Sequence, residues 1–271
     1  MVASAAVKSG ISLPRAPLDV GYPVNMNRPT LPSAATSEPG KMPVAVPISV
    51  IVPAIDEAET IEAMLATLAP LRARGSEVIV VDGGSRDDTA ERATAGATRV
   101  IHARPGRAAQ MNAGAAVATG ELLWFLHADT KVDEPVLAAM EAAAHDPGVS
   151  WGRVGVRLDS WRPLLRLTAV LMNIRSRLTG IATGDQGIFV RRVLFDRIGG
   201  FPEQPLMEDV EISARLKVHA APRCLPTGLT TSARRWERHG VIRTILLMWS
   251  LRLAYWRGAD PAELAARYRD G

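Results

Sequence analysis

The sequence predicts an α/β fold: a mostly parallel central sheet, helices on both of its faces, and a helical tail at the C-terminus. Three observations carry this expectation. Apolar, β-branched runs recur in "ISVIVPA", "EVIVVDGGS" and "ELLWFL" without polar alternation, as in strands buried on both faces. Segments of helical period separate these runs. The runs also end in polar groups: Asp56-Glu57, Asp82 and His127-Ala128-Asp129. Open parallel sheets bind ligands beyond the carboxyl ends of their strands.

Ordered structure is expected from Pro47, with a first strand over residues 48–54. Asp56 and Glu59 have capping-box spacing for a first helix, whose Ile61, Met64, Leu65, Leu68 and Leu71 recur at helical intervals. The second strand, residues 77–85, stops at two glycines, and Ser85 is placed to cap a helix through Thr89 and Ala93. A short strand at 99–103, an alanine-rich helix at 107–119, a strand at 121–126 and a helix at 134–145 follow. Beyond Ser150 the pattern changes. "WGRVGVRL" alternates as a strand at the sheet's far side, 163–178 reads as a helix, and "GDQGIFVRR" as a loop into a strand. "MEDVEISARL" is a short helix with its acids in front. "GVIRTILLMWSLRLAYWRG" is a long apolar helix, but the run between Arg243 and Arg252 is too short to span a bilayer.

The 271 residues are 47% hydrophobic, enough for a sizeable core. Residues 1–46, rich in proline, alanine and serine, are expected to be a disordered extension without the apolar stretch of a secretory signal. Residues 47–271 are expected to form one domain. The net charge of +4 comes from arginine rather than lysine. It suits phosphate-bearing small molecules or an anionic membrane surface, and is too weak and scattered for nucleic acid. Cys224 is the single cysteine, which excludes an internal disulfide and fits a reducing compartment.

Several groups could do chemistry. Asp129 at a strand end, with His127 two residues earlier, can hold magnesium or manganese against a pyrophosphate; equally, Asp129 or Thr130 can start the next helix as a cap. Asp82 can accept from the N3–H of a uracil ring, or simply close an Asp-Gly turn. Arg104 and Arg107 surround a helix start, a diphosphate site or a solvated turn. Glu208 and Asp209 open a helix, where acids are favoured by the dipole; the functional reading makes Asp209 a general base. Arg235-Trp236 can clamp a diphosphate or stack on a sugar, or form a basic surface turn. No P-loop, no Gly-x-Gly-x-x-Gly, no zinc array and no nucleophile elbow is present.

Taken in order, "VIVPAIDE", "EVIVVDGGSRDDT", "GRAAQMNAGAAVATGELLWFLHADT" and "EDVEISARL" resemble the family-2 nucleotide-sugar glycosyltransferases, from about Ile48 to Trp236. The resemblance implies a GT-A fold with a nucleotide-binding half (47–133), an acceptor-binding half (134–236) and C-terminal helices (237–271). It implies that Pro53, Ala54, Asp56 and Glu57 line the nucleotide pocket with His127 and Ala128. Asp82 would contact the base, and Arg107 would lie near the diphosphate. Asp129 matches the last aspartate of the Asp-x-Asp metal motif, and Asp209 the catalytic base of inverting members. Arg235-Trp236 matches the end of a Gln-x-x-Arg-Trp element, and Gln186 and Glu208 would help hold donor sugar or acceptor.

Three departures matter. His127 replaces the first acid of the metal motif, and Asp56 replaces an asparagine. Ser232 stands where the glutamine of the Gln-x-x-Arg-Trp element would be, which argues against a processive synthase. "GRAAQMN", "FLHADT", "GDQGIFVRR" and "TSARRWERHG" resemble a compact bacterial subgroup labelled as arsenosugar-associated, a label on which these residues are silent.

The function so implied is inverting, divalent-cation-dependent transfer from a nucleotide-diphosphate sugar, a UDP-sugar by preference, to a small-molecule or lipid hydroxyl. Two rivals stand beside it. A sugar nucleotidyltransferase would need a Gly/Arg-rich loop where "PAIDEAE" stands. A non-catalytic sugar-nucleotide- or partner-binding module could keep the same fold. The expected location is cytoplasmic. The final apolar helix either closes the core behind the acceptor site or contacts the inner membrane face.

Overall fold

The computed structural model describes residues 48–270, without the side chains of Arg235 and Asp270. The expectation for residues 1–46 lies outside the described residues. Seven strands form one sheet in the order β3-β2-β1-β4-β6-β5-β7. They are β1 Ile48–Ala54, β2 Glu77–Asp82, β3 Arg99–His102, β4 Leu122–Phe125, β5 Trp151–Asp159, β6 Ile188–Arg191 and β7 Arg223–Ser232. The β1·β2, β2·β3, β1·β4 and β5·β7 pairs are parallel, and β6 runs antiparallel between β4 and β5.

Helices cover both faces because β1 alternates. Ile48, Val50 and Val52 pack on one side with α1 (Ile61–Ala73) and α4 (Glu134–His145). Ile51 points to the other, with α3 (Arg107–Val117), α6 (Arg192–Arg197) and α7 (Glu208–His219). Each fully buried leucine or isoleucine contributes roughly 1.5–3 kcal/mol, so these two layers hold the sheet edge rigid. The chain winds outward from β1 through α1 and α2 (Thr89–Gly96) to β3, then returns to place β4 on β1's other side. That reversal opens a crevice beyond the carboxyl ends of β1 and β4.

Three local expectations are corrected. The first helix starts at Ile61 with Thr60 as its N-cap, so Asp56 and Glu59 make no capping box. Asp56 instead takes a positive φ of 52°, and its Oδ1 accepts from Arg86 N at 2.8 Å. Ser85 is no cap either: its Oγ accepts from Asp56 N at 3.0 Å, and α2 begins after Asp88. The helix after β4 is capped by Asp133, whose Oδ1 accepts from Val136 N at 3.1 Å, which removes the cap reading of Asp129 and Thr130. β7 has no counterpart in the sequence reading. Pro226 and Gly228 obscure it, and both are tolerated because β7 is the sheet's edge strand and bulges against β5.

At the opposite end of the sheet, Glu77 is 6% exposed. Its Oε1 accepts from Ser49 Oγ at 2.5 Å, Thr119 N at 2.5 Å and Thr119 Oγ1 at 2.9 Å, which ties β1, β2 and the entry to β4 together. Burial works to raise this carboxyl, and the hydrogen bonds outweigh it and hold it below the ordinary glutamate value. A depressed pKa contributes stability that is present above the unfolded value and lost as pH falls through the folded one. Glu77→Gln should therefore cost about 1.5–3 kcal/mol at neutral pH, because it trades a charged acceptor for a neutral one. It should also flatten the acid limb of the stability curve. Urea melts of both proteins across the acid range measure this, and parallel acid limbs would refute it.

The tail follows the edge strand: α5 (Pro163–Thr179) lies between β5 and β6 in the chain, and α8 (Arg234–His239), α9 (Val241–Trp256) and α10 (Pro261–Asp270) come last. Leu251 and Leu264 bury themselves against Met207. The inner face of α9 thus closes the core beside α7. No helix among the described residues is long and apolar enough to cross a membrane.

Candidate active site

The crevice at the sheet edge is a cleft of about 480 Å³. In the core on the α3 and α7 side of the sheet, the rings of Phe125, Phe195 and Phe201 pack with centroids 4.8–5.9 Å apart. Of the residues singled out from sequence, Pro53, Ala54 and Glu57 line the cleft after β1, and His127, Ala128 and Asp129 line it after β4. Arg107, Glu208, Asp209 and Trp236 complete the set, brought in by α3, α7 and α8.

Asp209 is the best-positioned group. Met207 adopts a positive φ of 67°, an uncommon conformation for a side-chain-bearing residue, and so swings the first turn of α7 toward the cleft. The Asp209 carboxylate is then held at both oxygens: Oδ2 accepts from Gly184 N at 2.9 Å and Oδ1 from Val210 N at 2.7 Å. Gly184 also touches the other wall. A Cβ placed there would lie 2.5 Å from His127 Nε2, so a larger residue at 184 would have to displace the imidazole. The opposite ring nitrogen, His127 Nδ1, lies 3.4 Å from Asp185 Oδ1.

The electrostatics follow from this crowding. Burial and then the neighbouring Asp209 push the Glu208 carboxyl above its ordinary value, against the opposing pull of Arg107. Burial works to raise Asp185, and the hydrogen bond and charge of His127, then Arg107 and Arg252, hold it low. Arg107 keeps solvent contact in the cleft while protein crowds round it. That crowding opposes its charge, but Glu208, Asp185, the Tyr268 phenol and Asp209 together keep it above its ordinary value. Gly106, at φ 129°, turns the chain into α3, so the amides at the start of this helix face the cleft beside Arg107.

Other expected residues are placed elsewhere. Asp82 does not line the cleft. Its carboxylate accepts from Gly84 N at 3.0 Å, from Ser85 N at 3.2 Å and from Ser85 Oγ, and lies 3.2 Å from His102 Nδ1, so the turn accounts for it. Asp56 is spent on the neighbouring turn. Gln186 is fully buried: its Oε1 accepts from Thr183 N at 3.1 Å and its Nε2 donates to Asn173 Oδ1 at 3.2 Å. It braces the loop from behind, and Asp185 beside it faces the cleft instead. Arg104 pairs with Glu203. The side chain of Arg235 lies outside the described residues.

The sequence reading missed Asp185 and Gln110, and, although it had the final helix closing the core behind the acceptor site as one reading, it did not identify which residues of that helix line the cleft. Gln110 Nε2 donates to Ala54 O at 3.0 Å and Val81 O at 2.8 Å, pinning the ends of β1 and β2. A lone buried amide in an alanine-rich helix was the available signal. Thr244, Met248 and Arg252 of α9 form the far wall; their spacing of four is visible in sequence only once the inner face of α9 is known.

No group of three His, Cys, Asp or Glu among the described residues has preformed metal-ligand geometry. What exists is an aspartate with no donor to its carboxylate among the described residues, beside an imidazole, facing a cleft with an anion-favouring helix start. Such an oxygen-and-nitrogen pair fits Mg2+ or Mn2+ when a diphosphate supplies further oxygens.

Residues 49–198, more than half of the chain, match the model of Glycosyl transferase family 2. The chain belongs to this family. Among curated relatives of this family-2 chain, glucosyl-3-phosphoglycerate synthase of Mycobacterium tuberculosis is 30% identical over 141 residues, 48% of this chain and 42% of that protein. An uncharacterized glycosyltransferase of the same organism is 32% identical over 131 residues, 42% of this chain and 58% of that one. The chain therefore matches only about half the length of these relatives. Among solved structures, the mannosyltransferase of Pyrobaculum calidifontis, in complex with GDP-Man and Mn2+, superimposes with a TM-score of 0.56 at 22% identity. That match covers 82% of this chain and 68% of the mannosyltransferase. S. aureus TarS in complex with UDP gives 0.56 at 21% identity over 68% of this chain and 60% of TarS. The family-2 chain thus has the GT-A fold, built on a mixed α/β sheet.

Proposed function

We propose that this family-2 chain transfers a sugar from a nucleotide diphosphate, a UDP-sugar by preference, to an acceptor hydroxyl with inversion at the anomeric carbon. The supporting observation is the placement of Asp209 and Asp129 in one cleft, with Asp209 anchored by the Gly184 amide. In this reading residues 47–133 hold the nucleotide, 134–236 the acceptor, and 237–271 close the cleft.

Pro53, Ala54, Glu57 and Ala128 flank the nucleoside. Arg107 and the start of α3 receive the diphosphate, with Arg252 and Trp236 on the other side. Asp129 and His127 would hold Mg2+ or Mn2+, which when bound supplies positive charge for the departing diphosphate. Asp209 accepts the proton of the acceptor hydroxyl as its oxygen attacks the anomeric carbon. The bond from that carbon to the diphosphate oxygen breaks, and the electron pair leaves with the nucleoside diphosphate. Glu208, buried beside Asp209 at the start of α7, would help hold donor sugar or acceptor. The glucosyl-3-phosphoglycerate synthase relatives favour a small anionic acceptor, and a lipid hydroxyl is the alternative. Cytoplasmic location belongs to the same reading.

The test is a donor screen by thermal shift with UDP and GDP, with and without Mn2+, followed by donor hydrolysis. A ligand at a hundred times its Kd should add about 2.7 kcal/mol to stability. UDP-dependent stabilisation that requires Mn2+, with slow hydrolysis of one UDP-sugar, is the expected result. Binding without any turnover would favour the non-catalytic binding module, and no nucleotide effect at all would end the proposal.

A further inference from the structure

Two helices carry an apolar face that the fold leaves in solvent. On α5 it is Leu164, Leu167, Leu171, Ile174 and Leu178, 42–81% exposed. On α9 it is Ile242, Leu246, Trp249, Leu253 and Trp256, 45–80% exposed. In both the spacing alternates between three and four residues, which makes one continuous stripe along each helix. Stripes of this length are unusual on a surface that meets only water.

The helices are neighbours. Leu165 and Ala169 of α5 cluster with Val241 at the start of α9. Burial, and then the charge of Arg252 on α9, push Arg175 of α5 down to about 10. Neither helix contains an aspartate or glutamate, while together they expose Arg166, Arg177 and Arg243; Arg175 has buried guanidinium nitrogens and Arg252 turns to the cleft. A shallow pocket against β5 and β7 adds Arg153 and Arg157 to Arg177, with Val170 and Ile174 at its rim. Arg157 already pairs with Asp133 at 3.2 Å. Arg153 is 2% exposed, and its Nε has no acceptor among the described residues.

The charge selects the occupant. A second copy of this chain would set arginine against arginine. Residues 1–47 have the same sign, with Lys8, Arg15, Arg28 and Lys41 against Asp19 and Glu38. A neutral apolar partner would leave the arginines without counter-charge. An anionic bilayer offers apolar depth to the stripes and negative headgroups to the arginines, and tryptophan favours that boundary.

We infer that α5 and α9 together form a docking face for an anionic bilayer surface. Thr244, Met248 and Arg252, on the inner side of α9, line the cleft. Docking therefore brings the cleft to the lipid surface, within reach of hydroxyls carried by membrane lipids. That last consequence rests on the transfer reading; the docking does not.

The experiment is flotation of the full chain with vesicles of phosphatidylcholine alone, or with about 30 mol% phosphatidylglycerol, at low and high salt. The chain should float with the anionic vesicles only, and less at high salt. Leu167→Glu with Leu171→Glu, and separately Trp249→Glu with Trp256→Glu, should each cut the bound fraction about tenfold. Tm and the UDP-induced thermal shift should be unchanged, because these side chains are exposed. Absence of flotation, equal flotation of both variants, or a dimer that the same substitutions dissolve would overturn the proposal. Vesicle binding is read without turnover, so its failure is separable from failure of the transfer reading.

Discussion

Asp209→Asn should lower sugar transfer about a thousandfold, roughly 4 kcal/mol of transition-state stabilisation, while leaving nucleotide binding nearly intact. The size follows from the role proposed for the carboxylate. It is the cleft acid that two backbone amides hold in place, through Gly184 N and Val210 N, so its geometry is fixed before substrate arrives. Asparagine keeps the shape and loses the proton acceptor. It also presents an amide N–H to one of those two donors, which loosens the side chain further. The neighbouring Glu208 offers no replacement, since it is only 6% exposed. Steady-state rates with a UDP-sugar, beside UDP thermal shifts of both proteins, make the comparison. A variant that turned over within tenfold of the parent would remove Asp209 from the chemistry.

Asp129→Ala should act on binding as well as on turnover. Nothing among the described residues donates to this carboxylate, so its removal leaves no broken network behind and Tm without ligand should change by under about 0.5 kcal/mol equivalent. In Mn2+ the affinity for UDP should fall about a hundredfold, and without metal the two proteins should bind alike. Calorimetric titration of UDP with Mn2+ and with a chelator separates these arms. Equal affinities in Mn2+ would show that the cation, if used, is held elsewhere. His127→Ala should have the smaller effect of the two, because its Nδ1 is already turned to Asp185.

The same comparison of residues shows where sequence reasoning reached and where it stopped. β1, β2, β4 and α4 were legible because local chemistry fixes them: unbroken apolar runs make strands buried on two faces, and a helical period with an acidic start makes α4. β7 was not legible. Its Pro226 and Gly228 argue against a strand by local preference, and only the partner offered by β5 outweighs that preference. Asp56, Asp82 and Gln186 were legible as polar groups at the right loops, but their acceptor oxygens take backbone N–H groups of nearby turns, and the Gln186 amide N–H goes to Asn173 Oδ1. Sequence places a carboxylate at a strand end; it does not say which backbone amides compete for it. Asp185 was hidden for the converse reason, since one residue along a short turn decides which side chain faces the cleft.

The sequence by itself determined the sheet-and-helix alternation, the family, and the presence of Asp129 and Asp209 just beyond ordered elements. These rest on short-range periodicity and on motif order, both of which the chain carries locally. Tertiary structure alone decided that the two aspartates share a cleft, that Gly184 joins Asp209 to His127, and that α9 supplies the far wall. Those depend on contacts between segments far apart in the chain, such as Gly184 with Asp209 and Gln110 with Ala54. No local pattern encodes a contact whose energy appears only after the chain has folded back on itself.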